Sequence, residues 1–302
     1  MVKFTTKVYL FGHSEFEELD TPILRGLISG VDFVYFECGV ASLDDTKLRS
    51  KREFSWNKYS KNGELDELLR TRLDKGFHAD SGVNFVIDQA RNNGKTPNIV
   101  FEKYDKPIQD YMLLRAKPIE SYVRGFPLES VLELQQTFLE KTEYQQQERE
   151  DHEARYIESL AGSRLVLFGA AHVDLVDKIG ESAEVYFPFE DYPISFETKM
   201  LQEFRRTGKV NPEFFQKSIM EAIARRSVGV ILRDSDSYEK VEILSHYYAN
   251  TLTTEQIEGF RTYSKLMMFL NGRITDGEIF NRYLQEELKL DSVEDTTNGI
   301  RR

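Results

Sequence analysis

Two histidines in this chain follow the same tripeptide. Tyr9-Leu10-Phe11-Gly12-His13 and Val166-Leu167-Phe168-Gly169-Ala170-Ala171-His172 each read as a buried-type strand that ends on glycine and turns toward a helix. Glycine at a strand end permits positive φ and close approach of backbone or ligand. Gly12 and Gly169 are therefore candidate binding positions, and His13 and His172 candidate site residues. A third candidate is Glu37, which closes the mostly apolar run over residues 31–36. Two imidazoles and a carboxylate can hold a divalent metal with open positions for water. The same trio can also work without metal, one histidine acting as general base and Glu37 orienting it. Taken singly, each histidine also reads as a loop residue bonded to backbone, and Glu37 as an exposed strand end. The repeated setting is what favours a functional pair.

The elements that would position these groups are legible. Lys7–Gly12 is strand-like, residues 19–28 carry apolar positions at helical spacing with Pro22 in the first turn, and Val31–Glu37 is a second strand. Strand, helix and strand in that order suggest a parallel βαβ unit. A helix from about Asp80 to Asn93 should stop at Gly94, and Asn98–Glu102 reads as a third strand. Pro107, Pro118 and Pro127 should divide the next stretch into short helical pieces. Leu128–Leu160 is helical and strongly charged, read as one long exposed helix or a broken pair, with Gly162 as a stop signal. Then the opening repeats. Arg164–Gly169 is a strand, His172–Ile179 a short helix, and Val185–Phe189 another strand. Val34-Tyr35-Phe36 and Val185-Tyr186-Phe187 match, as the two Leu-Phe-Gly runs do.

These features define an α/β fold: a mainly parallel sheet built from two related βαβ half-units with inserted helices, followed by an all-helical C-terminal region. The α/β core covers residues 1–194 with a helical insertion at about 104–162, and the helical region covers 195–302. Ligands of parallel α/β units bind outside the carboxyl ends of the strands, which is where both histidines fall. If the half-units pair about a pseudo-twofold, His13 and His172 converge and Glu37 joins them.

Bulk properties narrow the function. The chain has 302 residues and a net charge of -11, with 40 Lys and Arg against 51 Asp and Glu. That balance gives no electrostatic footprint for nucleic acid. The single cysteine, Cys38, excludes an intrachain disulfide and fits a reducing, cytoplasmic setting. No apolar run approaches the ~20 residues of a membrane span, and no secretory leader is evident. Walker, G-x-S-x-G, H-E-x-x-H, paired C-x-x-C and dinucleotide fingerprints are all absent. Among the other candidates, Cys38 reads as packing, His78 as a helix-cap neighbour, His246 as structural, and Arg149 and His152 as residues of a solvated helix.

The segment from Glu148 to Ile157, with Arg149 in it, followed by Leu165–His172, resembles the second signature of the TraB and Tiki superfamily, in which an arginine opens a helix that leads into a strand ending in G-x-x-H. Gly12-His13 and Val34–Glu37 resemble its first histidine motif and strand-end glutamate. Here the first motif reads Gly-His with no intervening pair, and the acidic residue after the arginine is Glu150 rather than aspartate. Erythromycin esterases and haem-linked ChaN proteins look like more distant relatives. The resemblance covers roughly residues 7–40 and 145–190. It implies a site of His13, Glu37 and His172 with Arg149 nearby as an electrophilic or structural partner. It also implies metal-dependent peptide hydrolysis in the Tiki branch or ester hydrolysis in the esterase branch. The expectation is a divalent-metal hydrolase acting on a peptide or small molecule. The alternatives are a metal-free esterase-type hydrolase with a histidine base, and a non-catalytic protein holding a small ligand, haem or protein partner in the same crevice. A homo-oligomer is compatible with all three.

Overall fold

The computed structural model describes residues 5–11, 21–38, 86, 89–101, 111–159, 162–169, 172, 174–179, 183–231, 238–271 and 275–291. Five strands form one sheet: β1 (Thr6–Phe11), β2 (Phe33–Cys38), β3 (Thr96–Phe101), β4 (Arg164–Gly169) and β5 (Ala183–Tyr186), in the order β3-β2-β4-β1-β5. Every pairing is parallel. β1 and β4 lie side by side at the centre, and β4 is buried along its whole length. That explains their near-continuous apolar sequences, because a central parallel strand is covered on both faces.

The strand order has the symmetry that two related half-units would give. From β1 the chain crosses β4 to reach β2, and from β4 it crosses β1 to reach β5. The two crossovers therefore run in opposite directions, and right-handed connections must then use opposite faces of the sheet. On one face Val8, Leu10, Val166, Phe168 and Tyr35 form a cluster with Leu175 and Ile179 of α4 (Leu175–Ile179). On the other, Tyr9 points away from that cluster by strand alternation. Its hydroxyl lies 3.0 Å from Thr21 Oγ1, the cap of α1 (Pro22–Ser29). Pro22 sits at the start of α1, and Leu24, Leu27 and Ile28 make its buried stripe. Leu10 belongs to the first cluster and its sequence counterpart Leu167 does not, as a twofold parallel to the strands requires. Phe11 is level with Gly169, so both central strands open at the same end of the sheet.

The entry to that sheet is stitched by one carboxylate. Asp32 Oδ2 accepts from Ser163 N at 2.8 Å and Ser163 Oγ at 2.7 Å, while Asp32 N donates to Ser163 O at 2.9 Å. These bonds hold the Asp32 carboxyl below its ordinary value of 3.8. A depressed folded-state pKa means the stabilisation is complete above the ordinary value and is lost as pH falls through the depressed one. Urea midpoints of the native protein and Asp32→Asn should therefore differ at about pH 6 and converge toward about pH 2. A difference that stays constant with pH would show that the charge contributes nothing. The neighbouring Gly162 adopts φ +90, and a Cβ there would lie 2.7 Å from the Phe33 ring.

The remaining chain is helical: α2 (Tyr111–Val123), α3 (Leu128–Ser159), α5 (Phe196–Thr207), α6 (Pro212–Ile231), α7 (Tyr238–Thr251), α8 (Thr254–Asn271) and α9 (Asp276–Glu286). The expectation of a helical C-terminal region holds for its described residues. The chain forms two compact units, residues 1–109 with 144–190, and residues 110–143 with 191–302. The segmentation differs from the sequence reading in one respect. The inserted stretch 110–143 belongs to the helical unit, because Tyr122 and Val131 pack into its core with Phe215, Ile219 and Phe260. Two further expectations are corrected. Pro118 lies inside α2 and does not break it. The charged stretch beginning at Leu128 is one continuous helix of 32 residues, and it is not uniformly exposed. Its apolar positions are sparse but fall on one stripe at a time, so Val131, Phe138 and Leu139 are buried in the helical unit and Ala154 and Ile157 in the α/β unit.

Candidate functional site

The point where crossovers diverge to opposite sides is the topological switch of a parallel sheet, and the crevice outside its carboxyl ends is the usual ligand position. Here the switch lies between β1 and β4. His172 follows β4 by three residues and is buried, with 2% exposure. Its ring sits 5.6 Å from that of Phe168, the residue that carries the sheet core to the strand end. Nδ1 lies 3.3 Å from Glu150 Oε1. Glu150, on α3, is fully buried.

A buried carboxylate is costly unless opposite charge or hydrogen bonds compensate it. Glu150 has both. Lys178 from α4 brings Nζ to 3.5 Å from Oε2 and also binds Asp151 Oδ1 at 2.7 Å and Gln147 O at 3.3 Å. The amide of Gln146, one turn earlier on α3, lies 3.5 Å from Glu150 Oε1 and 3.3 Å from His172 Nδ1. An amide nitrogen only donates and a carboxylate only accepts, so Nδ1 meets Gln146 when it carries the lone pair and Glu150 when it carries the proton. The ring is thus held on its Nδ1 side by Gln146 and Glu150, and Glu150 in turn faces Lys178. Such an anchored ring can serve as a metal ligand, whose second nitrogen conventionally binds a carboxylate, or as a general base.

Of the residues the sequence singled out, His172 and Gly169 are placed at the carboxyl end of β4, Gly169 as its last residue. Gly12 and His13 lie outside the described residues, as does His78. Glu37 is placed by its backbone in β2, opposite Val100 of β3 and next to Phe36, which is level with Leu167 of β4. Cys38 ends the same strand. Arg149 and His152 are likewise placed by backbone, on α3 beside Glu150. His246 lies in the helical unit, paired with Glu221. Among the described residues no group of three or more His, Cys, Asp or Glu side chains is arranged to hold a metal.

Glu150, Gln146 and Lys178 escaped the sequence reading as site residues, although a signal for the first two was present. Gln146, Glu150, Glu153 and Ile157 share one helical stripe, and Ile157 is fully buried. Carboxylates on a stripe that ends in core residues must find buried partners. Lys178 carries no such mark, because only the tertiary fold brings α4 against α3.

The described residues thus define a parallel α/β sheet with a buried strand-end histidine beside a buried glutamate. No known protein family, curated protein or solved structure matches the chain. Among the described residues no helix is long and apolar enough to cross a membrane.

Proposed function

We propose that this protein is a cytoplasmic hydrolase of TraB and Tiki type that cleaves a peptide or ester bond with water activated at the strand-end crevice. The observation that carries this reading is the buried Glu150–His172 pair at the switch point between β1 and β4. Glu150 supplies what a ligating histidine requires, a carboxylate on its far nitrogen. His172 would hold a divalent ion together with His13 and Glu37. A bound ion would acidify its water and polarise the scissile carbonyl. Glu150 fixes the His172 ring, Lys178 holds Glu150, and Glu37 is the third ligand or the group that takes the proton from water. Arg149, adjacent on α3, is the candidate electrophilic partner.

The same pair also supports a second reading, in which His172 is itself the general base and Glu150 its orienting carboxylate. Elemental analysis separates the two when the protein is purified without chelators or metal-affinity resin and screened against an ester and peptide panel. The metal-assisted reading expects a bound divalent metal and hydrolysis that stops on chelation and returns on metal addition. Chelator-resistant hydrolysis would assign His172 as base. Absence of both metal and hydrolysis would leave the crevice to a non-catalytic ligand, haem or protein partner.

A further inference from the structure

The helical unit holds a second histidine–carboxylate pair, and a lysine completes it. Glu221 of α6 is buried, and its Oε1 lies 2.8 Å from His246 Nδ1 on α7. Glu221 Oε2 accepts from Phe196 N at 2.8 Å, at the start of α5, so the carboxylate is fixed at both oxygens. The His246 ring stacks on Phe196, with centroids 4.7 Å apart and planes inclined by 11°. With Nδ1–H turned to the carboxylate, Nε2 carries the lone pair. That nitrogen lies 3.4 Å from Lys199 Nζ.

We infer that Lys199, His246 and Glu221 form an activated-amine site, in which Lys199 Nζ takes an activated acyl group such as a thioester or anhydride. The arrangement is that of a nucleophile, a base within reach of its proton, and a carboxylate orienting the base. In the reaction Nζ attacks the acyl carbon and the N–C bond forms. The bond from carbon to the leaving group breaks, and the leaving group departs with the electron pair. The ammonium proton lost beforehand and the proton shed by the new amide nitrogen pass in turn through His246 Nε2 to water, with Glu221 stabilising the imidazolium between transfers.

The surroundings favour the neutral amine. Burial presses the Lys199 ammonium down, and the second cation, Lys217, acts in the same direction against the pull of Glu221. Lys217 Nζ stands 5.4 Å from the Phe196 centroid, with Lys199 Nζ at 4.5 Å. Lys217 is itself held by Glu213 at 3.1 Å and by Asn250 O at 3.4 Å, which keeps it from replacing Lys199 beside the imidazole. The site is open to reagent, since His246 retains 18% exposure and Lys199 is half-buried.

A purely structural clamp of three helices would bury Lys199 and slow its chemistry, so relative reactivity decides. The full-length protein is treated at about pH 7 with limiting acetic anhydride, and each lysine is followed by peptide mass spectrometry. Lys199 should acetylate about tenfold or more faster than the exposed Lys141 and Lys209 of the same unit, since a positioned general base typically contributes about a hundredfold or more. His246→Gln keeps a polar planar side chain and loses the base. It should bring Lys199 to or below the rate of Lys141, with the circular dichroism of the native protein. Lys199 reacting no faster than Lys141 and Lys209 in the unsubstituted protein overturns the inference, whatever the variant does.

Discussion

His172→Ala is expected to abolish divalent-metal binding and to lower hydrolysis of a confirmed substrate by about a hundred- to ten-thousand-fold, with far-ultraviolet circular dichroism unchanged. The fold should tolerate the change because the ring packs mainly on Phe168 and on a polar cluster, while the strand it follows is secured by Leu165, Val166, Leu167 and Phe168, all buried. Glu150→Gln tests the anchor separately. The amide keeps the shape and loses the charge that matches Lys178 and fixes the ring. Loss of a carboxylate behind a ligating histidine typically costs about 10–100-fold in metal affinity or activity, so the expected effect lies below that of His172→Ala. Glu37→Gln should preserve shape and still stop turnover if the carboxylate takes the proton, since an amide cannot. The site assignment fails should His172→Ala and Glu37→Gln both retain native metal content and native hydrolysis.

Phe280→Ala should have the largest effect on stability, about 3–5 kcal/mol. The Phe280 side chain has 0% exposure and sits between Tyr248, at 5.9 Å and 90°, and Phe260, at 5.7 Å and 83°. Truncation removes two edge-to-face contacts and leaves a cavity walled by aromatic rings, which cannot collapse to fill it. Phe280→Leu keeps more of the volume and should cost less. Tyr247, beside Tyr248 in the chain, is 55% exposed, so Tyr247→Ala should stay within about 0.5 kcal/mol. Urea denaturation of the three variants gives the comparison. A Phe280→Ala midpoint no lower than that of Tyr247→Ala would show that the helical core is not centred on this ring.

The sequence by itself determined the parallel α/β class. Val8–Phe11 and Leu165–Phe168 are apolar at every position, which only a strand covered on both faces requires. The repeated Leu-Phe-Gly ends anticipated two strands opening on the same side. The helix start at Pro22 was legible because it is local, set by the conformation proline itself prefers. The helical C-terminal region was legible from apolar spacing in the same way. Tertiary structure decided the rest. Strand order is invisible in sequence, since β1 and β4 are separated by more than half the chain and pair only when the sheet assembles. The insertion went to the helical unit because Tyr122 and Val131 found partners there, a choice that no local pattern records. The anchor of His172 was hidden for a related reason. Glu150 looks like one more charge on a solvated helix until burial of Ile157 turns that stripe inward and forces the carboxylate to find His172 and Lys178. Lys199, His246 and Glu221 come from three separate helices, and only their packing makes a lone lysine, a lone histidine and a lone glutamate into one chemical unit.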